Sequence, residues 1–169
     1  KHHREKNIAR LEGWWGNHPA NRFLMRRKFT PAEGAAAWQL STPSAIAFAP
    51  VMASLLIFEE AGIDKIVEKS RQLTGFLEFL IRPLEEKLKM KIITPEQRGA
   101  QLSIYITENG KEMFSFLTEH GVTVDWREDN LTGGEKSGSG VIRVAPAPLY
   151  NTYHEVYQFY QILNKYSTL

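Results

Sequence analysis

The feature that most constrains this chain is a change of hydrophobic period at Pro83. Before it, Ile66, Leu73, Leu77 and Leu80 recur at the helical period and fall on one face. After it, Leu102, Ile104 and Ile106 alternate, as do Val122, Val124 and Trp126, so every second side chain points the same way. A stripe with one period cannot be buried by an element with the other, so the chain must change architecture there. The spacing predicts strands over 91–94, 101–107, 122–126 and 141–145. A helix over 110–120 runs through Met113, Phe114 and Leu117 to Gly121. A last helix opens on the capping box Thr152-x-x-Glu155 and carries Val156, Phe159, Tyr160 and Leu163. The order β, β, α, β, β, α describes a compact α+β sandwich of one sheet and one helical layer. Arg127 to Gly140, with four glycines, reads as a flexible hairpin-like loop.

Upstream, Trp38-Gln39-Leu40-Ser41-Thr42-Pro43 reads as a strand end entering a helix, with Ser41 or Thr42 as cap and Pro43 in the first turn. That helix is expected to reach about Glu60, kinked or restarted at Pro50 and closed by Gly62, with Asp64 capping its successor. The two helices form a spine joining the segment before Thr42 to the segment after Pro83. Gly13-Trp14-Trp15-Gly16-Asn17-His18-Pro19 brackets two tryptophans with residues that break regular structure. Residues 1–12 are charged, with Ile8 and Leu11 at helical spacing.

With 169 residues, 43% of them hydrophobic, the chain can bury a core. A net charge of +2 is too small to argue for nucleic acid or an anionic membrane, and the basic cluster Arg22, Arg26, Arg27 and Lys28 reads as a solvated face. The longest apolar run, Ala45 to Ile57, contains Pro50 and is too short for a bilayer, which needs about 20 residues. There is no cysteine, hence no disulfide framework, thiolate nucleophile or Cys-based zinc site, and a cytoplasmic setting fits. No signal-peptide segment follows Lys1, and the chain, which starts without methionine, reads as a piece of something longer.

Few residues carry chemistry. Arg143 shares its alternation phase with Val141 and Ala145, in a strand expected to be buried, and two prolines, Pro146 and Pro148, come after it. An arginine cannot shed its charge, so it must snorkel, pair with a structural carboxylate, or hold an anionic ligand bidentately. Trp14 and Trp15 could stack on a flat ligand, direct an indole N–H at an anion, or be buried against a neighbour. Ser41 and Thr42 could present hydroxyls to an anion or be ordinary caps. His2, His3 and His18 lack a zinc spacing, so no metal site is read. The stretch Gly133 to Gly140 lacks the Gly-Lys-Ser/Thr ending of a phosphate loop, and there is no Gly-x-Ser-x-Gly elbow.

Three segments together resemble the kynureninases, pyridoxal-phosphate enzymes of tryptophan breakdown. They are Gly13-Trp14-Trp15-Gly16 with Arg22-Phe23, Trp38 to Pro43, and Val141-Ile142-Arg143-Val144-Ala145-Pro146-Ala147-Pro148-Leu149-Tyr150-Asn151. Leu73 to Glu78 and Glu96 to Leu102 are similar to family stretches in the right order. The resemblance covers nearly all 169 residues and is to the carboxyl-terminal part of the family.

The resemblance implies an α/β fold overall, the pyridoxal-phosphate-dependent transferase-like fold type I. This chain is then mainly the α+β small C-terminal domain plus connecting helices: 1–42 the trailing end of the large cofactor domain, 43–82 the connecting helices, 83–169 the small domain. It implies a homodimer with the active site shared between subunits, and hydrolysis of L-kynurenine to anthranilate and L-alanine in tryptophan catabolism and NAD biosynthesis. By position, Trp14 binds the phosphate of the pyridoxal 5'-phosphate cofactor. Thr42, with Ser41 beside it, lies at the cofactor and substrate ring, and Arg143 holds the substrate's α-carboxylate. Thr42 in place of Asn, shorter toward a ring hydroxyl, leans the preference to kynurenine over 3-hydroxykynurenine. The family's Schiff-base lysine lies upstream, so no catalytic residue is expected in this chain and the fragment alone is expected to be inactive. The rival is a stand-alone α+β module that uses Arg143 for an acidic metabolite without chemistry, and neither reading calls for nucleic acid or a membrane.

Overall fold

The computed structural model describes residues 8–24, 26–129 and 138–168, in two compact units, Lys1–Ile57 and Phe58–Leu169. His2 and His3, most of the charged leader and most of the glycine-rich stretch lie outside the described residues.

The first unit is built on turns. A 3-10 turn at Trp14–Gly16 is followed by a bridge between Asn17 and Pro31 and a second 3-10 turn at Gly34–Trp38. The strand end expected at Trp38 is therefore a turn, because Ala35, Ala36 and Ala37 carry no β-branch or alternation to hold an extended ladder. Helix α1 spans Ala45–Ala61 without a break at Pro50. It starts later than expected: the backbone N–H of Ala47 donates to Ser44 Oγ at 3.4 Å and that of Phe48 to the Ser44 carbonyl at 3.1 Å, so Ser44, not Ser41 or Thr42, is the cap. Pro50 falls in the second turn, where its missing N–H costs one bond and the helix continues.

Gly62 closes α1 with φ +82°, a conformation a side chain would strain, and its N–H donates to the Phe58 carbonyl at 3.0 Å. It is also the residue before α2, Ile63–Ile81, so Asp64 sits within the first turn instead of capping it. No single helix among the described residues is long and apolar enough to cross a membrane.

The second unit is a four-stranded antiparallel sheet with β1 Met90–Ile92, β2 Leu102–Ile106, β3 Asp125–Glu128 and β4 Gly140–Val144 in the order β1-β2-β4-β3. Helices α3, Gly110–Glu119, and α4, Tyr153–Tyr166, lie with α2 on one face of it. Leu102, Ile104 and Ile106 of β2 and Ile142 and Val144 of β4 meet Leu73, Leu77 and Ile81 of α2, Met113 and Leu117 of α3, and Val156, Phe159 and Leu163 of α4 in one core. The α2 stripe is thus buried in the same core as the sheet. The capping box forms in full: Thr152 Oγ1 accepts from the Glu155 N–H and the Glu155 carboxylate accepts from the Thr152 N–H. The third strand starts at Asp125, later than expected, because it pairs only along β4 while Val122 and Val124 pack against the core from an approach segment.

Candidate functional site

In the first unit, two segments distant in sequence are held backbone to backbone. A Cβ placed on Gly13 would lie 2.1 Å from Leu40 Cα, and one on Gly16 would lie 2.8 Å from the carbonyl oxygens of Ala37 and Gln39. Only glycine permits that approach, which docks the Trp14 turn on the segment leading to Ser41 and Thr42. Trp14 meets Trp15 edge-to-face at 5.1 Å and Phe23 at 5.7 Å, yet stays 45% exposed, and its indole N–H makes no hydrogen bond among the described residues. The second indole is spoken for: the Arg22 guanidinium covers the Trp15 ring at 4.1 Å. Ser41 and Thr42 are exposed, and since Ser44 caps α1 their hydroxyls are not committed to the helix.

In the second unit, Arg143 lies on β4, but not on a buried face. The core side of β4 is Gly140, Ile142 and Val144; Val141 and Arg143 look the other way, and the arginine side chain is 38% exposed. The expectation of a buried guanidinium reverses because helices cover one side of the sheet only, and the larger apolar set, Ile142 and Val144, takes that side.

The guanidinium has a partner there. Asp125 is directly opposite Arg143 across the β3–β4 ladder; Nε of Arg143 donates to Asp125 Oδ2, and Nη2 is ion-paired with the same oxygen. Arg127 Nε donates to the same oxygen at 3.0 Å. Partial desolvation pushes the Asp125 carboxyl up, but the hydrogen bonds and charges of Arg143 and Arg127 outweigh it and hold the group below the usual aspartate range. Along the same face, the Tyr105 hydroxyl donates to Asp129 Oδ2 at 2.9 Å, and that bond, with desolvation behind it, raises the phenol's pKa. This uncovered face thus carries two arginines, two aspartates and a tyrosine beside Val141; no group of three or more His, Cys, Asp or Glu that could hold a metal occurs among the described residues.

Residues 66–163 match the family model of the kynureninase C-terminal domain, which is more than half of the chain. The chain belongs to the kynureninase family. It is 42% identical over 170 residues to the kynureninase of Christiangramia forsetii, covering 98% of this chain and 38% of that protein. With the kynureninase of Flavobacterium psychrophilum the identity is 39% over the same shares. This kynureninase-family chain therefore spans less than two fifths of the length of these relatives. Among solved structures it is similar to the cysteine desulfurase CsdA of Escherichia coli, with TM-score 0.61 and 19% identity over 92% of this chain and 38% of that one. It is also similar to the C-DES K223A mutant with glycine covalently linked to its PLP cofactor, with TM-score 0.58 and 16% identity over the same shares. These likenesses show the fold, that of the pyridoxal-phosphate enzymes of fold type I, of which the second unit is a small α+β domain.

In this kynureninase-family chain Trp14, Ser41 and Thr42 fall in the first unit and Arg143 in the second. Reading the sequence missed Asp125. Its only signal is an acid in the off-phase of the Val122, Val124, Trp126 alternation, and nothing short of the strand register places it beside Arg143.

Proposed function

We propose that the whole protein hydrolyses L-kynurenine to anthranilate and L-alanine, with pyridoxal 5'-phosphate as cofactor, as a homodimer in tryptophan catabolism. The observation that carries the reading is Arg143: in a chain of this family, it stands on an uncovered sheet face with its side chain partly open to solvent. When bound, pyridoxal phosphate supplies an electron sink for charge developing at the substrate's Cα.

The residues of this chain fit a role around that group. Trp14 has an exposed indole on a turn that Gly13 and Gly16 lock in place, and its N–H, without a hydrogen bond among the described residues, suits a phosphate oxygen. Thr42 and Ser41 offer uncommitted hydroxyls where the substrate ring would lie. Arg143 binds the α-carboxylate through its planar fork, which orients the amino acid and fixes which Cα substituent faces the cofactor. Thr42, shorter than asparagine, favours kynurenine over its 3-hydroxy analogue, since a ring hydroxyl would lack a partner. Residues 1–42 are read as the end of the large cofactor domain, 43–82 as connecting helices and 83–169 as the small domain.

The test is steady-state turnover of L-kynurenine by the full-length protein with Arg143→Ala. Losing a bidentate charge-assisted contact is expected to raise KM by about 10- to 100-fold. An unchanged KM overturns the proposal.

A further inference from the structure

We infer that Asp125 is a positioning residue for Arg143: it holds the guanidinium by one edge and leaves the other edge free for a ligand's carboxylate. This rests on the reading of Arg143 as the carboxylate-binding residue.

A guanidinium has five N–H donors arranged on two usable edges. Asp125 Oδ2 accepts from Nε–H and is ion-paired with Nη2 beside it, which occupies the side edge. Nη1 and the remaining hydrogen of Nη2 form the end-on edge, and they make no hydrogen bond among the described residues. An arginine side chain left alone has about 2 kcal/mol of rotamer entropy to lose when it binds. Held by Asp125, it has lost much of that freedom before a ligand arrives. The anchor is itself anchored. Asp125 sits on the neighbouring strand in direct register with Arg143, and Arg127, two residues on along the same face, donates to the same Oδ2 at 3.0 Å. Two guanidinium donors on one carboxylate oxygen favour its ionised form and fix its position. The pairing is by the side edge, so Asp125 and a bound carboxylate do not compete for the same hydrogens. They share the cation, one on each edge.

The experiment is kinetics of the full-length protein with L-kynurenine in three variants, alongside Arg143→Ala. Asp125→Ala is expected to raise KM about tenfold with kcat within about twofold, since binding and not chemistry is disturbed. Asp125→Asn keeps an oxygen acceptor facing Arg143, so it is expected to rescue KM to within about threefold of the parent. Arg127→Ala, which removes an exposed second donor, is expected to change KM less than about threefold. A KM for Asp125→Ala at or below the parent value, while Arg143→Ala raises it, shows that Asp125 is idle or competes, and overturns the inference. If Arg143→Ala itself leaves KM unchanged, it is the reading of Arg143 that fails. An equal loss in Asp125→Ala and Asp125→Asn, with thermal unfolding lowered in both, shows a merely structural role and also overturns it.

Discussion

Replacing Leu73 by alanine tests whether α2 is part of the small-domain core or only a strut. Leu73 is 0% exposed and belongs to the cluster that joins α2, the sheet and α4. Removing its three terminal carbons forfeits about 2.4 kcal/mol of transfer free energy at about 0.8 kcal/mol per carbon. The cavity left behind brings the loss into the range of about 2.7–5 kcal/mol. If the unit opens as one, that loss applies to amides far from α2, and the slowest-exchanging amides of β2 and α4 should exchange about 100- to 4,000-fold faster, at 1.4 kcal/mol per decade. Hydrogen exchange read by mass spectrometry on peptides covering 102–106 and 153–166 measures this in the protein as it stands. Phe79, on the same helix but 73% exposed, is the control: Phe79→Ala should change exchange there by less than about threefold. Acceleration confined to α2, or equal effects of the two substitutions, would refute the claim that α2 is built into this core.

Glu78 offers a pH test. Burial pushes its carboxyl up, but Arg98 and Arg82, hydrogen-bonded to its two oxygens, outweigh that and lower its pKa. A depressed carboxylate stabilises the fold above its unfolded pKa of about 4.3 and loses that contribution as pH falls through the folded value. Acid unfolding below about pH 4 should therefore shift to higher pH in Arg98→Ala, with a loss of about 1.5–3 kcal/mol near neutrality because Arg82 remains as partner. Thr152→Ala removes the α4 cap and should cost about 1 kcal/mol, seen as faster exchange in the first turn of α4. Gly13→Ala would put a Cβ 2.1 Å from Leu40 Cα, so the Trp14 turn must move away from 37–40. Weaker retention of pyridoxal phosphate by the full-length protein on dialysis is the expected outcome, and unchanged retention would separate Trp14 from the cofactor.

Much of the small unit is legible in the sequence. The period change at Pro83, the alternation of Leu102, Ile104 and Ile106 and the Thr152-x-x-Glu155 box are local signals, because each is carried by residues within a turn or two of one another. Local pattern cannot say which side of β4 faces the helices. Val141, Arg143 and Ala145 alternate as cleanly as Gly140, Ile142 and Val144, and only the packing of α2, α3 and α4 against one face chooses between them. The N-cap of α1 is ambiguous for a similar reason: Ser41, Thr42 and Ser44 are all capable, and the path of the chain decides for Ser44. Asp125 shows the limit most plainly. The sequence alone establishes that Arg143 carries a permanent charge that must find a partner. Its carboxylate lies 18 positions away, and only the β3–β4 register brings it opposite. Charge pairing acts over a few ångströms of space, and sequence separation does not report that distance.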